Sequence, residues 1–147
     1  MRLWHYKLLP YLPDSQLLAQ KRECDLIIKD ATLGRRTNHI LINYIYEYGG
    51  VDSISFKTYY ALLYKEFKNR GFKFNDKYQM INWFYVDNPP VAPFNKHHNN
   101  EYLLCNFFNL LEKYRRNQRD FDKTTFKNLY NFVNNVIDLN SIGVDND

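Results

Sequence analysis

Within residues 55–70 the apolar side chains fall at Phe56, Tyr59, Tyr60, Leu63 and Phe67, a spacing of three and four that lines one face of an α-helix. Lys68 and Arg70 sit in its last turn and Gly71 ends it. The same period recurs elsewhere. Pro10 and Pro13 bracket an extended lead, and Asp14 or Ser15 then caps a first helix reaching about Asp30. Its apolar course is Leu17, Cys24 and Ile28 with Leu18 beside them, while Gln16, Gln20 and Glu23 form a polar stripe. After a linker over residues 31–36, Thr37 or Asn38 caps a second helix. Ile40, Leu41, Tyr44, Ile45 and Tyr48 share one of its faces, and Gly49-Gly50 ends it.

From residue 72 to 98 the periodicity is lost. Asn88-Pro89-Pro90 and Pro93 forbid a regular element there, so a long irregular loop is expected, pinned to the body by Trp83, Phe84 and Tyr85. A fourth helix, at about 100–118, carries Leu103, Phe107, Leu110 and Tyr114. A fifth, at about 124–139, carries Leu129, Phe132, Val133, Val136 and Ile137, and a frayed acidic tail follows. No alternating strand pattern and no internal repeat compete with this reading. The expected fold is all-α, a compact helical bundle with the N-terminal segment threaded against the first helix.

Thirteen Tyr, 11 Phe and 2 Trp among 147 residues supply a core of large rings, which excludes wholesale disorder and suits one compact unit. Cys24 and Cys105 form no Cys-x-x-Cys pair, so a disulfide framework and a cysteine-rich zinc site are both excluded. No apolar run approaches the roughly 18 residues of a membrane span. A reduced, cytoplasmic protein is expected. The net charge of +4 is unevenly spread: residues 1–75 hold 12 basic and 7 acidic side chains, residues 76–147 hold 8 and 9. The basic first part suits a polyanionic partner such as nucleic acid.

Gly-rich phosphate loops, a His-Glu-x-x-His helix and a nucleophile elbow are all missing, which removes the commonest nucleotide, zinc-protease and hydrolase readings. His97 and His98 are adjacent, so their side chains diverge, and with no third ligand indicated they read as surface or helix-cap residues. Neither a metal nor a cofactor is expected. Arg22, Arg35 and Arg36 cluster around the junction of the first two helices and are the expected phosphate contacts. By composition alone, Arg22-Glu23 is a solvated charged pair.

The stretch Gln16-Leu17-Leu18-Ala19-Gln20-Lys21-Arg22-Glu23, some twenty residues from the N-terminus, resembles the first helix of the pyrimidine-dimer DNA glycosylases, the phage endonuclease V family. Further matches follow in order. Asn38-His39-Ile40-Leu41-Ile42-Asn43 opens the second helix, and Lys68-Asn69-Arg70-Gly71-Phe72 closes the third. Met1-Arg2-Leu3-Trp4-His5, Pro10-Tyr11-Leu12-Pro13 and His98-Asn99-Asn100-Glu101-Tyr102-Leu103 are more similar to the family's bacterial branch. The resemblance covers roughly residues 1–118 and leaves 119–147 as an added C-terminal helix and tail.

The resemblance implies a DNA-repair glycosylase with abasic-site lyase activity. In that family an N-terminal α-amine attacks the sugar of a pyrimidine dimer, expels the base and forms an imine, and a glutamate manages the protons. Glu23 inherits the second role. Arg2 is too large to permit removal of the initiator methionine, so Met1 inherits the first, with Lys7 as the fallback. An α-amino group titrates near 7.7–8.0 and a lysine near 10.4, so at physiological pH the α-amine has the larger neutral fraction. The implied DNA contacts are Arg2, Arg22, Arg35, Arg36 and His39. Trp4, Tyr6 and Trp83 are either supports for unstacked bases or core rings. The expected partner is damaged double-stranded DNA, bound by a monomer associated with the nucleoid. The competing readings are a non-catalytic helical nucleic-acid-binding module and an interaction protein whose charge serves solubility.

Overall fold

The computed structural model describes residues 1–146. Its first helix, α1 (Asp14–Thr32), follows Pro13 and buries Leu17, Cys24, Ile27 and Ile28. Its N-terminus is satisfied from a distant part of the chain: Asp120 accepts from the Ser15 amide at 2.7 Å and from the Ser15 hydroxyl at 3.0 Å. The remaining helices are α2 (Ile54–Asn69), the short α3 (Trp83–Asp87), α4 (Asn100–Arg115) and α5 (Lys123–Val136). Side chains of Ser53, Asn82, Asn99 and Asp122 accept from first-turn amides of α2, α3, α4 and α5 in turn. At the far end of α2 the amides of Phe72 and Gly71 reach back to the carbonyls of Phe67 and Lys68, at 2.9 and 3.0 Å. That double closure needs the positive φ of 75° that Gly71 adopts.

Phe56, Tyr59, Tyr60, Phe94, Phe107 and Phe126 fill the core, joined by Leu3, Leu8, Leu9 and Leu12 from the N-terminal segment. Residues 1–5 have no regular secondary structure and Tyr6–Tyr11 forms a 3₁₀ helix, and with Leu3, Trp4, His5, Leu8 and Leu9 buried the start of the chain runs through the interior. α5 closes the bundle by stacking: Phe126 lies on Tyr114 with centroids 4.1 Å apart, and Phe132 on Tyr11 at 4.6 Å. Among the described residues every regular element is helical, and the all-α expectation holds.

Three local expectations are corrected. Residues 35–42 are irregular, and only Asn43–Tyr48 coils, as 3₁₀ rather than α-helix. The cause is local competition for the backbone: the His39 amide donates to Asn43 Oδ1 and the Leu41 amide to His39 Nδ1, bonds that replace an α-ladder. Ile40 and Leu41, expected on a buried face, are exposed. In the long loop, Trp83 and Phe84 start α3; Trp83, 61% exposed, still rests edge-on against Tyr64 of α2 with centroids 5.1 Å apart, but Phe84, 69% exposed, does not pin the loop. Phe94 and Ile81 do, helped by Lys21, whose ammonium pairs with Asp25, donates to the Asn75 carbonyl and lies 4.5 Å from the Phe74 ring centroid. Finally, the chain after α5 is packed rather than frayed through Val144: Leu139 and Val144 are buried and the Tyr130 hydroxyl donates to the Val144 carbonyl at 2.8 Å. Asp147 lies outside the described residues.

Candidate active site

A non-helical segment in a helical core must find partners for its backbone groups, because an unpaired buried amide or carbonyl costs about 1–3 kcal/mol. Here side chains supply them. Gln20, placed in the polar stripe by its spacing, is fully buried. Its carbonyl oxygen accepts from the Trp4 amide at 2.7 Å and its amide donates to the Arg2 carbonyl at 2.9 Å, the pairing a neighbouring strand would make. From α2 the Tyr59 hydroxyl reaches the Trp4 carbonyl (2.7 Å) and Gln20 Oε1 (2.8 Å). From α4 the Tyr102 hydroxyl donates to the Leu3 carbonyl (2.6 Å) and Asn106 Oδ1 accepts from the His5 amide (2.7 Å). His98 Nδ1 accepts from the Tyr6 amide at 3.2 Å. The first six residues are thereby held from α1, α2, α4 and the loop before it.

His98 is buried, not at the surface, and Asn99 is the residue that caps α4. Because its Nδ1 accepts, its proton sits on Nε2, 2.6 Å from the Tyr44 hydroxyl, and Tyr44 hydrogen-bonds Tyr102 in turn. The line His98, Tyr44, Tyr102 thus ends on the Leu3 carbonyl. Burial, then the neighbouring His5 and His97, push the His98 pKa down to about 2; burial, then Lys7, push His5 down to about 4. Burial likewise raises Tyr44, Tyr59 and Tyr102 above the ordinary phenol range. The layer beneath the N-terminus is therefore neutral at physiological pH.

Above it opens a cavity of ≈ 260 Å³ lined by Met1, Arg2, Trp4, Gln16, Ala19, Gln20, Glu23, Leu41, Asn109 and Lys113. Met1 and Glu23, separated by 22 positions in sequence, share this wall. Glu23 Oε2 also accepts from Gln20 Nε2 at 3.2 Å, so the side chain that anchors the N-terminal backbone orients the carboxylate as well. Arg2 lies over the buried Trp4 ring, 5.4 Å from its centroid. Met1, Arg2 and Lys113 line the cavity together with a single carboxylate, Glu23, a balance suited to an anion. Lys113 and Asn109 were not legible as site residues, because α4 meets α1 here only through the tertiary fold. Gln20 had a signal, since it stands three positions before Glu23 on the same helix face.

The other expected contacts, Arg22, Arg35, Arg36 and His39, are not among the residues that line this cavity. Arg22 is exposed on α1 beside Glu23. Arg35 and Arg36 are exposed on the loop after α1, but Arg35 Nε pairs with Asp30 at 3.0 Å and Arg36 lies over the Tyr46 ring at 4.7 Å. Asp30 also accepts from the Thr37 hydroxyl, and that bond with the Arg35 pairing holds its carboxyl below the usual range. His39 is half-buried within its own turn. Leu41, from the same loop, reaches the cavity. Among the described residues no group of three His, Cys, Asp or Glu side chains is placed to hold a metal, and no helix is long and apolar enough to cross a membrane.

Compared with known proteins, the chain matches the family model for pyrimidine dimer DNA glycosylase over residues 1–80, a span that includes Met1, Gln20, Glu23 and the loop to Leu41. No curated protein and no solved structure matches it.

Proposed function

The chain belongs to the pyrimidine dimer DNA glycosylase family, and from that premise we propose that it excises a damaged base from duplex DNA with the Met1 α-amine as nucleophile and Glu23 as proton carrier. One observation carries the reading: Met1 and Glu23 line the same small cavity, and buried side chains hold the backbone that leads to the amine. Fixing a nucleophile within reach of its target removes much of the entropy cost of attack. A free chain end has that cost in full. Here four buried side chains, Gln20, Tyr59, His98 and Asn106, and the half-buried Tyr102 remove much of it.

The neutral amine nitrogen attacks the sugar's C1′ while the C1′–N bond breaks; the base leaves C1′ with the bonding pair and takes a proton from water. Glu23 takes the proton that the nitrogen sheds and returns it to O4′ as the sugar ring opens, so that the regenerated carboxylate faces the cationic iminium. Loss of a C2′ proton from the imine then expels the 3′ phosphate oxygen, cutting the strand. Arg2 and Lys113 neutralise a phosphate at the cavity rim, and Arg22, Arg36 and His39 contact the backbone around it. The volume also sets what enters. At ≈ 260 Å³ the cavity is smaller than the roughly 300–1,000 Å³ that encloses a drug-sized ligand, which suits a single sugar and not a whole dimer.

Borohydride reduction in the presence of abasic-site DNA tests this reading. A covalent adduct that maps to the peptide starting at Met1 is the expected result. An adduct at Lys7 would retain the family chemistry with another amine. Salt-sensitive DNA binding with no adduct and no excision would instead place the chain among non-catalytic binding modules.

A further inference from the structure

Between residues 10–14 and α5 runs a groove of ≈ 520 Å³, twice the volume of the cavity at Met1 and Glu23. Its α5 wall lies outside the family match, which ends at residue 80. Asn128, Asn131 and Asn135 line that wall at intervals of three and four, so their amides form one row. All three are exposed, and among the described residues none of their side chains has a hydrogen-bond partner. In a helix interior Asn is less favourable than Ala, Lys or Glu, and no cap or local bond accounts for this row. The stacked rings of Tyr11 and Phe132 add an aromatic surface. At the start of α5 the groove turns negative: Asp122 accepts from the Thr125 amide and Asp120 from Ser15 and Gln118, all neutral donors. Arg70, on the same wall, compensates neither. Its guanidinium pairs with Glu66 at 2.9 Å and Asp14 at 2.8 Å and donates to the carbonyls of Leu9 and Pro10. Two uncompensated carboxylates repel phosphate, which separates this groove from any DNA-facing surface.

We propose that this groove is a docking site for an extended, arginine- or lysine-bearing segment of a partner protein, with Asn128, Asn131 and Asn135 pairing with its backbone and Asp120 and Asp122 receiving its cations. A side-chain amide presents an acceptor beside two donors, the complement of the C=O and N–H groups of a peptide. From Asn128 to Asn135 the helix rises about 10 Å, the reach of about three residues of extended chain. An arginine of that segment can lie on the Tyr11 and Phe132 rings while its guanidinium meets the carboxylates. A free polyamine would satisfy the carboxylates but would leave the row of amides without its complement, so a peptide accounts for more of the groove. The inference is independent of the chemistry at Met1 and Glu23.

Fluorescence anisotropy on the full chain tests this with three labelled probes: the peptide Gly-Arg-Gly-Arg-Gly-Arg-Gly, the same peptide methylated at its backbone nitrogens, and a counterpart with Glu in place of Arg. Because the chain carries a net charge of +4, general attraction does not favour the arginine probe, and its saturable binding reports a local site. The Asn128→Ala, Asn131→Ala double variant removes two exposed side chains that hold nothing else, so its unfolding midpoint should not fall. Its affinity for the plain arginine peptide should drop roughly 10-fold, as expected for two lost hydrogen bonds. The methylated peptide should bind the parent weakly and the variant equally weakly. In NMR spectra of the labelled parent, the side-chain amide signals of Asn128, Asn131 and Asn135 should move as the plain peptide is added. No saturable binding of that peptide, equal affinity of parent and variant, equal affinity for plain and methylated peptides, binding of the Glu peptide, or signal changes confined to another surface would each overturn the proposal. Spermidine binding as tightly as the arginine peptide would overturn it too, by showing a site for free cations.

Discussion

Gln20 connects three groups that otherwise have no reason to meet: the Trp4 amide, the Arg2 carbonyl and the Glu23 carboxylate. Its role was hidden because a Gln, Gln, Glu stripe at helical spacing is what a solvated face also looks like. What distinguishes the two cases is the N-terminal segment lying against that stripe, which only the fold supplies. Glu23 itself was legible, through its place in the Gln-Leu-Leu-Ala-Gln-Lys-Arg-Glu stretch, and its proposed role separates chemistry from binding. Glu23→Gln keeps the length and the bond to Gln20 but not the basicity, so folding and DNA affinity should stay near parental values. Single-turnover base excision should fall by about 10²–10⁴-fold, and parental excision by this variant would reassign Glu23 to the solvated face. Gln20→Ala should do different damage. It leaves buried backbone groups unpaired at about 1–3 kcal/mol each, so a lowered unfolding midpoint and weaker borohydride trapping should appear together; loss of trapping with unchanged stability would contradict the anchoring role.

At the level of elements, the helices that follow strong apolar periods with caps at their starts, α1, α2, α4 and α5, were readable to within a few residues. Residues 37–48 were not, because the apolar spacing of Ile40, Leu41, Tyr44 and Ile45 is helical while Asn38, His39 and Asn43 bond the intervening backbone themselves. The N-terminal segment is the element with the clearest pH signature. His5 and His98 are buried neutral beside it, with pKa values pushed down to about 4 and about 2, whereas in the unfolded chain each titrates near 6.5. Below pH 6.5 the unfolded state therefore binds protons that the folded state refuses. The stabilisation is complete above that pH and declines as the pH falls, through about 4 for His5 and toward about 2 for His98. Denaturation midpoints measured from pH 7.5 down to 4.5 should drop, with a slope approaching roughly 1.4 kcal/mol per pH unit for each histidine. His98→Gln should lower stability at pH 7.5 and make the slope shallower by about one proton. A parental slope in that variant would show that another group carries the acid sensitivity.

For the whole molecule, not every arginine of the basic first part of the chain is equally available to DNA. Arg36→Ala should lower the slope of log affinity against log salt by about 0.9 if it holds one phosphate. Arg35 starts from an ion pair with Asp30, so Arg35→Ala should change the slope less, and an equal effect of both would show that the pair opens on binding. The C-terminal residues 119–147 contribute in a second way, which a truncation after residue 118 would expose. Phe126, Leu129, Tyr130 and Val133 are buried against the bundle, each contributing about 1.5–3 kcal/mol relative to exposure. Their sum is of the order of the whole 5–15 kcal/mol stability of a small domain. The deletion also removes Asp120 from the start of α1, the helix that carries Gln20 and Glu23. Residues 1–118 alone should therefore show no cooperative unfolding transition and should fail to form a borohydride adduct, although the residues proposed for the chemistry are all present. Supplying residues 119–147 as a separate peptide should restore both in proportion to its binding. A truncated chain that folds and traps DNA unaided would show that the bundle closes without α5.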